Sequence, residues 1–357
     1  LPLDEIELPD ELDRVPWRFS RDQMKALVLA LSRDNLFPVW VSSFGCGLDA
    51  FAFKHFESVI GDRPALMLEF DEHRGEAGLV TRLEAFADEI EEHRRDRGGA
   101  RPAGPRPPRQ RRTISGRFVV PHISDHGAMA AATLRAMGWD AEVLPVPDQT
   151  TVVMGEEHTS GKECHPFVVL AGELVRWATS DDARRGDVFY YPQSPNPCLI
   201  SQYGDAHRAL LRRLGVDHVE AWGLGAHELV PFIGGEGGLR MYEGFAAVDL
   251  LIAAACARRP YELTPGAVDE VHRESVERVS EALALREPAL DAFREGIDRL
   301  MAVPVDESVG TRPLVGVCGD FYTRVAPNAN GDLFARLEAM GCQVWAHPYI
   351  CLLYTSP

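Results

Sequence analysis

Short apolar runs alternate with longer amphipathic segments along most of this chain. Buried-strand runs are predicted at 38–44, 65–70, 118–123, 141–145, 187–191, 313–318 and 343–346. Helical periodicity is predicted at 24–31, 50–60, 76–95, 126–137, 166–177, 201–214, 241–257, 265–301 and 332–340. Because a helix between two strands usually connects parallel neighbours, this order predicts an α/β protein with parallel sheets.

A segment rich in Arg, Pro and Gly interrupts the pattern after the third predicted helix. It has little apolar surface to bury, which is typical of a solvated linker or a long surface loop. We therefore expect two Rossmann-like lobes. The predicted division is an N-terminal lobe at 1–97, a linker at 98–116, a second lobe at 117–350 with a helical segment at 234–302, and a tail at 351–357. The tail resembles translated sequencing-adapter sequence and is expected to be an artefact.

Length, charge and cysteine count narrow the class of protein. A chain of 357 residues is long enough for two ordinary cores. Its net charge of −17 disfavours nucleic acid as a partner, because phosphate binding needs a basic surface. No apolar run reaches the roughly 20 residues that span a bilayer, and no signal peptide is visible. We expect a cytoplasmic protein without a membrane partner, and the 7 thinly spread cysteines do not suggest a disulfide framework.

Three of the cysteines lie just before predicted helices. Cys46 and Cys198 also follow predicted strands, and Cys164 lies in a loop before a helix that we expect to begin at Pro166. A helix N-terminus carries about half a positive charge, which favours a thiolate. Ligands of open α/β sheets bind beyond the carboxyl ends of the strands. The sequence therefore suggests that Cys46, Cys164 and Cys198 converge in a crevice between the lobes and hold a metal–sulfur cluster.

Other interpretations of these cysteines remain open. Small buried cysteines are common in protein cores, and none of the three belongs to a C-x-x-C motif. A zinc site is a second metal interpretation, although structural zinc sites usually have paired short spacings that this chain lacks. Among the remaining cysteines, Cys318 at a strand end is the best spare ligand. Cys256 in an apolar helix and Cys342 after a helix-ending glycine are expected to be structural.

Several other polar residues are candidates for chemistry. The cluster at the end of the second predicted strand could supply a general acid or base, or could cap a helix; it consists of Glu69, Asp71, Glu72 and His73. Lys162 and His165 flank Cys164 and could stabilise cluster charge, or could be passive surface groups. His122 and His126 bracket a strand–helix turn, where capping or solvent contact is expected. The glycines of 234–238 are interpreted as a flexible hinge.

Four stretches of this chain carry a family resemblance. They are Val41-Ser-Ser-Phe-Gly-Cys-Gly-Leu-Asp49, Glu69-Phe-Asp-Glu-His73 with the helix that follows it, Ser160-Gly-Lys-Glu-Cys164 and Val315-Gly-Val-Cys-Gly-Asp320. They resemble the C-terminal region of large acyl-CoA dehydratase activase-related proteins. Those proteins are similar to 2-hydroxyacyl-CoA dehydratase iron–sulfur subunits and to double-cubane cluster proteins. The resemblance extends from about residue 37 to residue 348, but the Pro-Asn-Pro before Cys198 differs from the small-residue stretch usual in the family.

The resemblance implies a function as well as a cofactor. Cys46, Cys164 and Cys198 would hold a [4Fe–4S] cluster, which normally has four cysteine ligands, so that one iron would remain open. The cluster would receive an electron from an ATP-dependent activase module, usually part of the same polypeptide, and would act on an acyl-CoA. This implies a dehydratase-like lyase or an activase-linked reductase component. No nucleotide-phosphate motif occurs in this chain, so we expect the activase module itself to be absent.

Two functions of other classes are alternatives. The chain could be a non-catalytic α/β scaffold that docks an activase and holds no cluster. It could also be a Rossmann-type binder of small molecules with structural cysteines, although no G-x-G-x-x-G motif opens either lobe.

Overall fold

The computed structural model describes residues 3–8, 12, 15–71, 76–95, 115–193, 198–320 and 322–349. Within these residues, helices and short strands alternate, and every pair of neighbouring strands in a sheet is parallel. The predicted α/β class is therefore confirmed. The predicted linker lies outside the described residues except for 115–116, and the predicted tail lies wholly outside them.

The strands are β1 (Val39–Ser43), β2 (Leu66–Phe70), β3 (Phe118–Val120), β4 (Ala141–Val143), β5 (Val188–Pro192), β6 (Glu220–Leu224), β7 (Leu314–Val317) and β8 (Gln343–Ala346). The first five helices are α1 (Arg18–Leu31), α2 (Gly47–Ile60), α3 (Glu76–Arg95), α4 (His126–Ala136) and α5 (Gln149–Glu157). They are followed by α6 (His165–Ala178), α7 (Tyr203–Arg213), α8 (Ala226–Arg258), α9 (Ala267–Ala284), α10 (Ala289–Ala302), α11 (Pro327–Asn330) and α12 (Leu333–Ala339). A 3-10 turn at Leu199–Gln202 leads into α7.

The chain folds into two compact units that do not follow the predicted division. Unit 1 consists of 1–113, 159–164 and 195–213, and unit 2 consists of 114–158, 165–194 and 214–357. Cys164 and Cys198 were expected in the second lobe, but both belong to unit 1, together with Cys46. The predicted boundaries follow the order of apolar and helical segments along the chain. The units depend instead on long-range packing, which places the short segments 159–164 and 195–213 in unit 1.

The core of unit 1 surrounds a two-stranded sheet in which β1 pairs with β2. Side chains alternate between the two faces of a strand. On one face, Trp40 packs with Met24 of α1 and Phe56 of α2. On the other face, Leu68 packs with Phe86 of α3. Helices thus pack on both faces of β2, whereas the α3 side of β1 is open, with Val39 44% and Val41 58% exposed.

Unit 2 is built on a four-stranded sheet of order β4-β3-β5-β6 and also contains the pair β7-β8. Phe118 of β3 and Tyr190 of β5 are buried under α4, α8, α9 and α10. Helices α5 and α6 pack closely at two glycines: a Cβ on Gly172 would lie 1.9 Å from the carbonyl oxygen of Thr151, and one on Gly155 would lie 2.0 Å from that of Val168. Only glycine allows this approach of the two backbones.

The structure differs from the predicted elements in three places. Helix α5 and strand β6 were not predicted, since neither segment has clear periodicity. The helix predicted at 265–301 is two helices, α9 and α10, with Pro288 at the N-cap of the second. The predicted hinge at 234–238 lies inside α8, where Gly234 has a φ of 79° and kinks the helix. No helix in the described part of the chain is both long and apolar enough to cross a membrane.

Candidate functional site

Cys46 is the N-cap residue of α2, directly after the turn that follows β1. Its amide donates to the carbonyl of Ser43 at 3.1 Å, and its own carbonyl accepts from the amide of Ala50 at 3.0 Å. Its side chain makes no capping hydrogen bond. The preceding Gly45 has a φ of 74°, which L-residues rarely adopt. Asp49 lies in the first turn of α2 and accepts from Ser42 Oγ at 2.6 Å.

The turn of Cys46 lies against the segment that carries Cys198. A Cβ on Gly47 would lie 2.9 Å from Leu199 Cδ1, so the glycine permits a close approach at this point. His55 of α2 also hydrogen-bonds Gln202 at 3.0 Å between buried side chains. Helix α2 is therefore fixed against the 3-10 turn at both its first and its third turn.

Cys198 is the N-cap residue of that 3-10 turn and is exposed. Its carbonyl accepts from the amide of Ser201 at 3.1 Å and from Ser201 Oγ at 2.8 Å. Like Cys46, it uses its backbone for the turn and makes no side-chain capping hydrogen bond. The Pro-Asn-Pro that precedes it lies outside the described residues.

Cys164 is half-buried and contacts the segment of Cys198 through a tyrosine. Its Sγ lies 2.7 Å from the hydroxyl of Tyr203, the first residue of α7. The ring of Tyr203 stacks on Phe51 of α2, with ring centroids 5.6 Å apart. The thiol of Cys164 thus contacts the helix that directly follows the 3-10 turn of Cys198, and that helix packs on α2, whose N-cap residue is Cys46.

A buried carboxylate anchors the loop of Cys164 to α2. Glu163 Oε2 accepts from the amide and the hydroxyl of Ser160, each at 2.9 Å, and Glu163 Oε1 pairs with Lys54 Nζ at 2.5 Å. Burial opposes the ionisation of Glu163, but the hydrogen bond and charge of Lys54 outweigh it and hold the pKa of the carboxyl below its ordinary value. The loop therefore closes on an ionised glutamate.

A second ion pair ties the same loop to β2. Lys162 Nζ lies 2.6 Å from Glu69 Oε2, and Glu69 is the register partner of Ser42 near the end of β1. The loop of Cys164 thus lies at the carboxyl ends of the two parallel strands, where open α/β sheets bind their ligands. Of the predicted acidic cluster, Asp71 is exposed, whereas Glu72 and His73 lie outside the described residues.

Within the described ranges, no group of three or more His, Cys, Asp or Glu side chains is arranged to hold a metal ion. The type of donor nevertheless suits iron, because cysteine thiolates bind iron in clusters. Cys46, Cys164 and Cys198 are all free of disulfides, and two of them have side chains that the helix caps do not use.

The other described cysteines differ from these three in their surroundings. Cys256 is buried with Val317 and Val344, and burial raises the pKa of its thiol to about 11, as expected of a core cysteine. Cys318 is exposed after β7, and Cys342 is half-buried. All three belong to unit 2.

The histidines near β3 are integrated into unit 2 more deeply than expected. His126 was predicted to cap a helix or contact solvent, which is wrong: it is buried and hydrogen-bonds Ser124 Oγ at 2.8 Å and Asp249 at 3.1 Å. The amide of His122 donates to Glu173 Oε1 at 2.9 Å. His165, by contrast, is exposed.

Three contact residues of the candidate site were not identified from the sequence: Lys54, Glu163 as an anchor, and Tyr203. Their roles depend on contacts between distant segments, so no local pattern reveals them. The Ser160/Glu163 pair did carry a signal, since it matches a capping box, and the side chain of Glu163 does accept from the amide of Ser160.

Replacing Lys54 by methionine should loosen the loop of Cys164. The carboxylate of Glu163 would lose its counter-ion while remaining buried, at a cost of about 1–3 kcal/mol. We expect the thiol of Cys164 to become about tenfold more reactive towards an alkylating reagent, as measured by mass spectrometry of the modified peptide. The control is Arg95→Met, which breaks an exposed pair with Glu91. Equal reactivity in both variants would show that the ion pair does not hold the loop.

Comparison of the chain with protein-family models, with curated proteins and with solved structures finds no match.

Proposed function

We propose that this chain is an iron–sulfur redox protein that binds a [4Fe–4S]-type cluster through Cys46, Cys164 and Cys198. The supporting observation is that three segments far apart in sequence, each carrying one of these cysteines at or just before the start of a helix or 3-10 turn, fold into the same compact unit. This replaces the predicted location in a crevice between two lobes with a location inside unit 1.

The residues around the three thiols would prepare them as ligands. The N-cap positions of Cys46 and Cys198 place them at the amino-terminal ends of α2 and of the 3-10 turn, where backbone amides favour negative charge. Lys54 and Lys162, paired with Glu163 and Glu69, bring two cations to the loop of Cys164 and hold its backbone. Tyr203 would donate a hydrogen bond to the sulfur of Cys164, which stabilises a thiolate.

A cluster with three cysteine ligands supplies one-electron chemistry and an open iron. From the family resemblance we infer a role in low-potential electron transfer or in the reductive dehydration of an acyl-CoA, with electrons from an ATP-dependent activase module. We further propose Rossmann-like lobes, which the alternation of helices and parallel strands supports, and a cytoplasmic location, which the free cysteines support. If the purified protein contains no iron, the alternative is a non-catalytic α/β scaffold that docks an activase.

The proposal is tested by purifying the protein without oxygen and measuring iron and acid-labile sulfide per chain. We expect about four irons per chain and the broad absorption of iron–thiolate charge transfer. Each of Cys46→Ser, Cys164→Ser and Cys198→Ser should lower the iron content to a small fraction of this value, because a cluster with two remaining ligands is lost readily.

The matched control is Cys342→Ser, which removes a half-buried cysteine of unit 2 and should leave iron and absorption unchanged. An iron-free wild-type protein after anaerobic reconstitution would refute the cluster. Iron that persists in all three serine variants would refute these ligands.

A further inference from the structure

Strand β1 is an edge strand of the two-stranded sheet in unit 1, and one row of its backbone groups points away from β2. The amide of Leu66 donates to the carbonyl of Pro38 at 3.1 Å, and residues 40 and 42 face β2 in the same register. Backbone groups of successive residues point to opposite sides of a strand, so those of Val39 and Val41 face outward. Among the described residues, no group hydrogen-bonds these outward amides and carbonyls.

The side chains of the same two residues are uncovered as well. Leu66 and Leu68 of β2 are buried with Phe86 of α3. Their register partners on the same face are Val39 and Val41, which remain exposed. Parallel sheets are normally buried on both faces, so an exposed apolar row on a parallel strand is unusual. The edge of β1 therefore combines free hydrogen-bonding groups with an open apolar face.

Two other edge strands of this protein are protected by arginine side chains. On the outer edge of β2, Arg82 donates to the carbonyl of Met67 at 2.6 Å. On the outer edge of β4, Arg135 donates to the carbonyl of Ala141 at 2.9 Å. Charged groups of this kind keep an edge from pairing with another chain. By contrast, Val39–Ser43 contains no charged residue, no proline and no glycine.

The strand that fits this edge is β1 itself. Two antiparallel copies related by a two-fold axis at Val41 would place Val41 opposite its own copy and Val39 opposite Ser43. About six backbone hydrogen bonds would form, and the valines would meet on the open face. Because the strand is uncharged, the pairing brings no like charges together. A two-fold contact also uses up the edge, so the assembly stops at two chains.

We propose that this chain forms a homodimer in which β1 of one copy pairs antiparallel with β1 of the other, giving a continuous four-stranded sheet of order β2-β1-β1-β2. The free backbone row of β1 supplies the hydrogen bonds, and Val39 and Val41 supply the apolar contact. This surface does not depend on the proposed cluster.

The test is the mass of the full chain in solution, measured by sedimentation equilibrium. We expect a shift from one chain towards two between about 1 and 200 µM, as for an interface of small size. Val41→Lys and Val41→Glu should each weaken the dimer by about tenfold or more, because like charges directly opposite destabilise a strand pair. An equimolar mixture of the two variants should dimerise again, because opposite charges then face each other. Near-UV circular dichroism shows whether each variant is folded.

Two control variants separate strand pairing from a general effect of charge. Val41→Thr keeps a β-branched residue and should retain the affinity within about threefold. Leu314→Lys places the charge on the exposed edge strand β7, where Gly316 in the same outward row disfavours pairing, and should leave the dimer unchanged. Hydrogen exchange adds a backbone readout: the amide of Val41 should exchange more slowly at high protein concentration, whereas that of Trp40, which faces β2, should not change.

A wild-type chain that stays monomeric over this concentration range would overturn the proposal. A dimer that survives both charge variants would overturn it too, as would a mixture of the two folded variants that remains monomeric. Loss of the dimer in Leu314→Lys would place the contact at β7 and would also refute pairing through β1.

Discussion

Replacing Glu173 by glutamine should make unit 2 more stable at neutral and alkaline pH, by about 3 kcal/mol at pH 7 and about 5 kcal/mol at pH 9. Burial raises the pKa of this carboxyl from an ordinary value of 4.5 to about 8. Between these two values the folded state holds a proton that the unfolded state has released. The free energy of unfolding therefore falls as the pH rises from about 4.5 to about 8 and is constant beyond that.

Glutamine removes the titration but keeps the shape of the side chain and the oxygen that accepts from His122. Below pH 4.5 the two proteins should therefore differ by less than about 1 kcal/mol. The measurement is the free energy of unfolding in urea between pH 4.5 and pH 9, followed by a signal assigned to unit 2, such as hydrogen exchange of α6.

Glu157→Gln serves as the control, because Glu157 is exposed at the end of α5 and its replacement should not alter the pH dependence. A wild-type stability that is flat between pH 5 and pH 8, or one that rises there, would contradict a protonated Glu173.

Elements with a strong local pattern could be predicted closely from the sequence. Helix α3 and strand β8 have the predicted bounds, because amphipathic periodicity and an apolar run are properties of the segment itself. Helix α5 could not be predicted in this way. It begins Gln-Thr-Thr-Val-Val, which is rich in β-branched residues that disfavour helix. It is stabilised by close packing against α6 at Gly155 of α5 and Gly172 of α6, a contact that no local window contains.

In the candidate site, too, some features follow from local sequence signals and others depend on contacts between distant segments. The positions of Cys46 and Cys198 at turn starts were predicted, since strand, glycine and helix signals surround them. That Cys164 belongs with them in unit 1 was not predicted, because it depends on the pair of Glu163 with Lys54 and on the contact with Tyr203. Each of these contacts joins segments at least 39 residues apart in sequence.

Glu173 shows a signal that the sequence did contain. It is the single ionisable residue between Phe167 and Val175, in a run that is otherwise apolar or small. A helix that is apolar on all sides is usually buried, so an acidic residue within it is expected to be neutral or to have a function. Glu173 was not predicted as a candidate residue, because the run was interpreted only as the helix that follows Cys164.

His207 should produce the opposite pH dependence in unit 1. It is 0% exposed in α7, and burial, assisted by the positive charges of Arg208 and Lys54, lowers the pKa of its imidazole from 6.5 to about 3. Between these values the unfolded state binds a proton that the folded state excludes. The free energy of unfolding of unit 1 therefore has its full value above about pH 6.5. It falls on acidification, by about 2 kcal/mol at pH 5 and about 3 kcal/mol at pH 4.

His207→Gln should abolish this acid-induced loss. The slope of the free energy of unfolding against pH tests the prediction, whatever the stability of the variant at pH 8. Urea unfolding followed by hydrogen exchange of α2 and α7 reports on unit 1. His165→Gln, at an exposed position, should keep the wild-type slope. Because a fall in pH below about 6.5 weakens unit 1 through His207, while a rise in pH from about 4.5 to about 8 weakens unit 2 through Glu173, we expect unit 1 to unfold more readily relative to unit 2 as the pH falls. A relative stability of the two units that does not change between pH 4 and pH 8 would contradict both assignments at once.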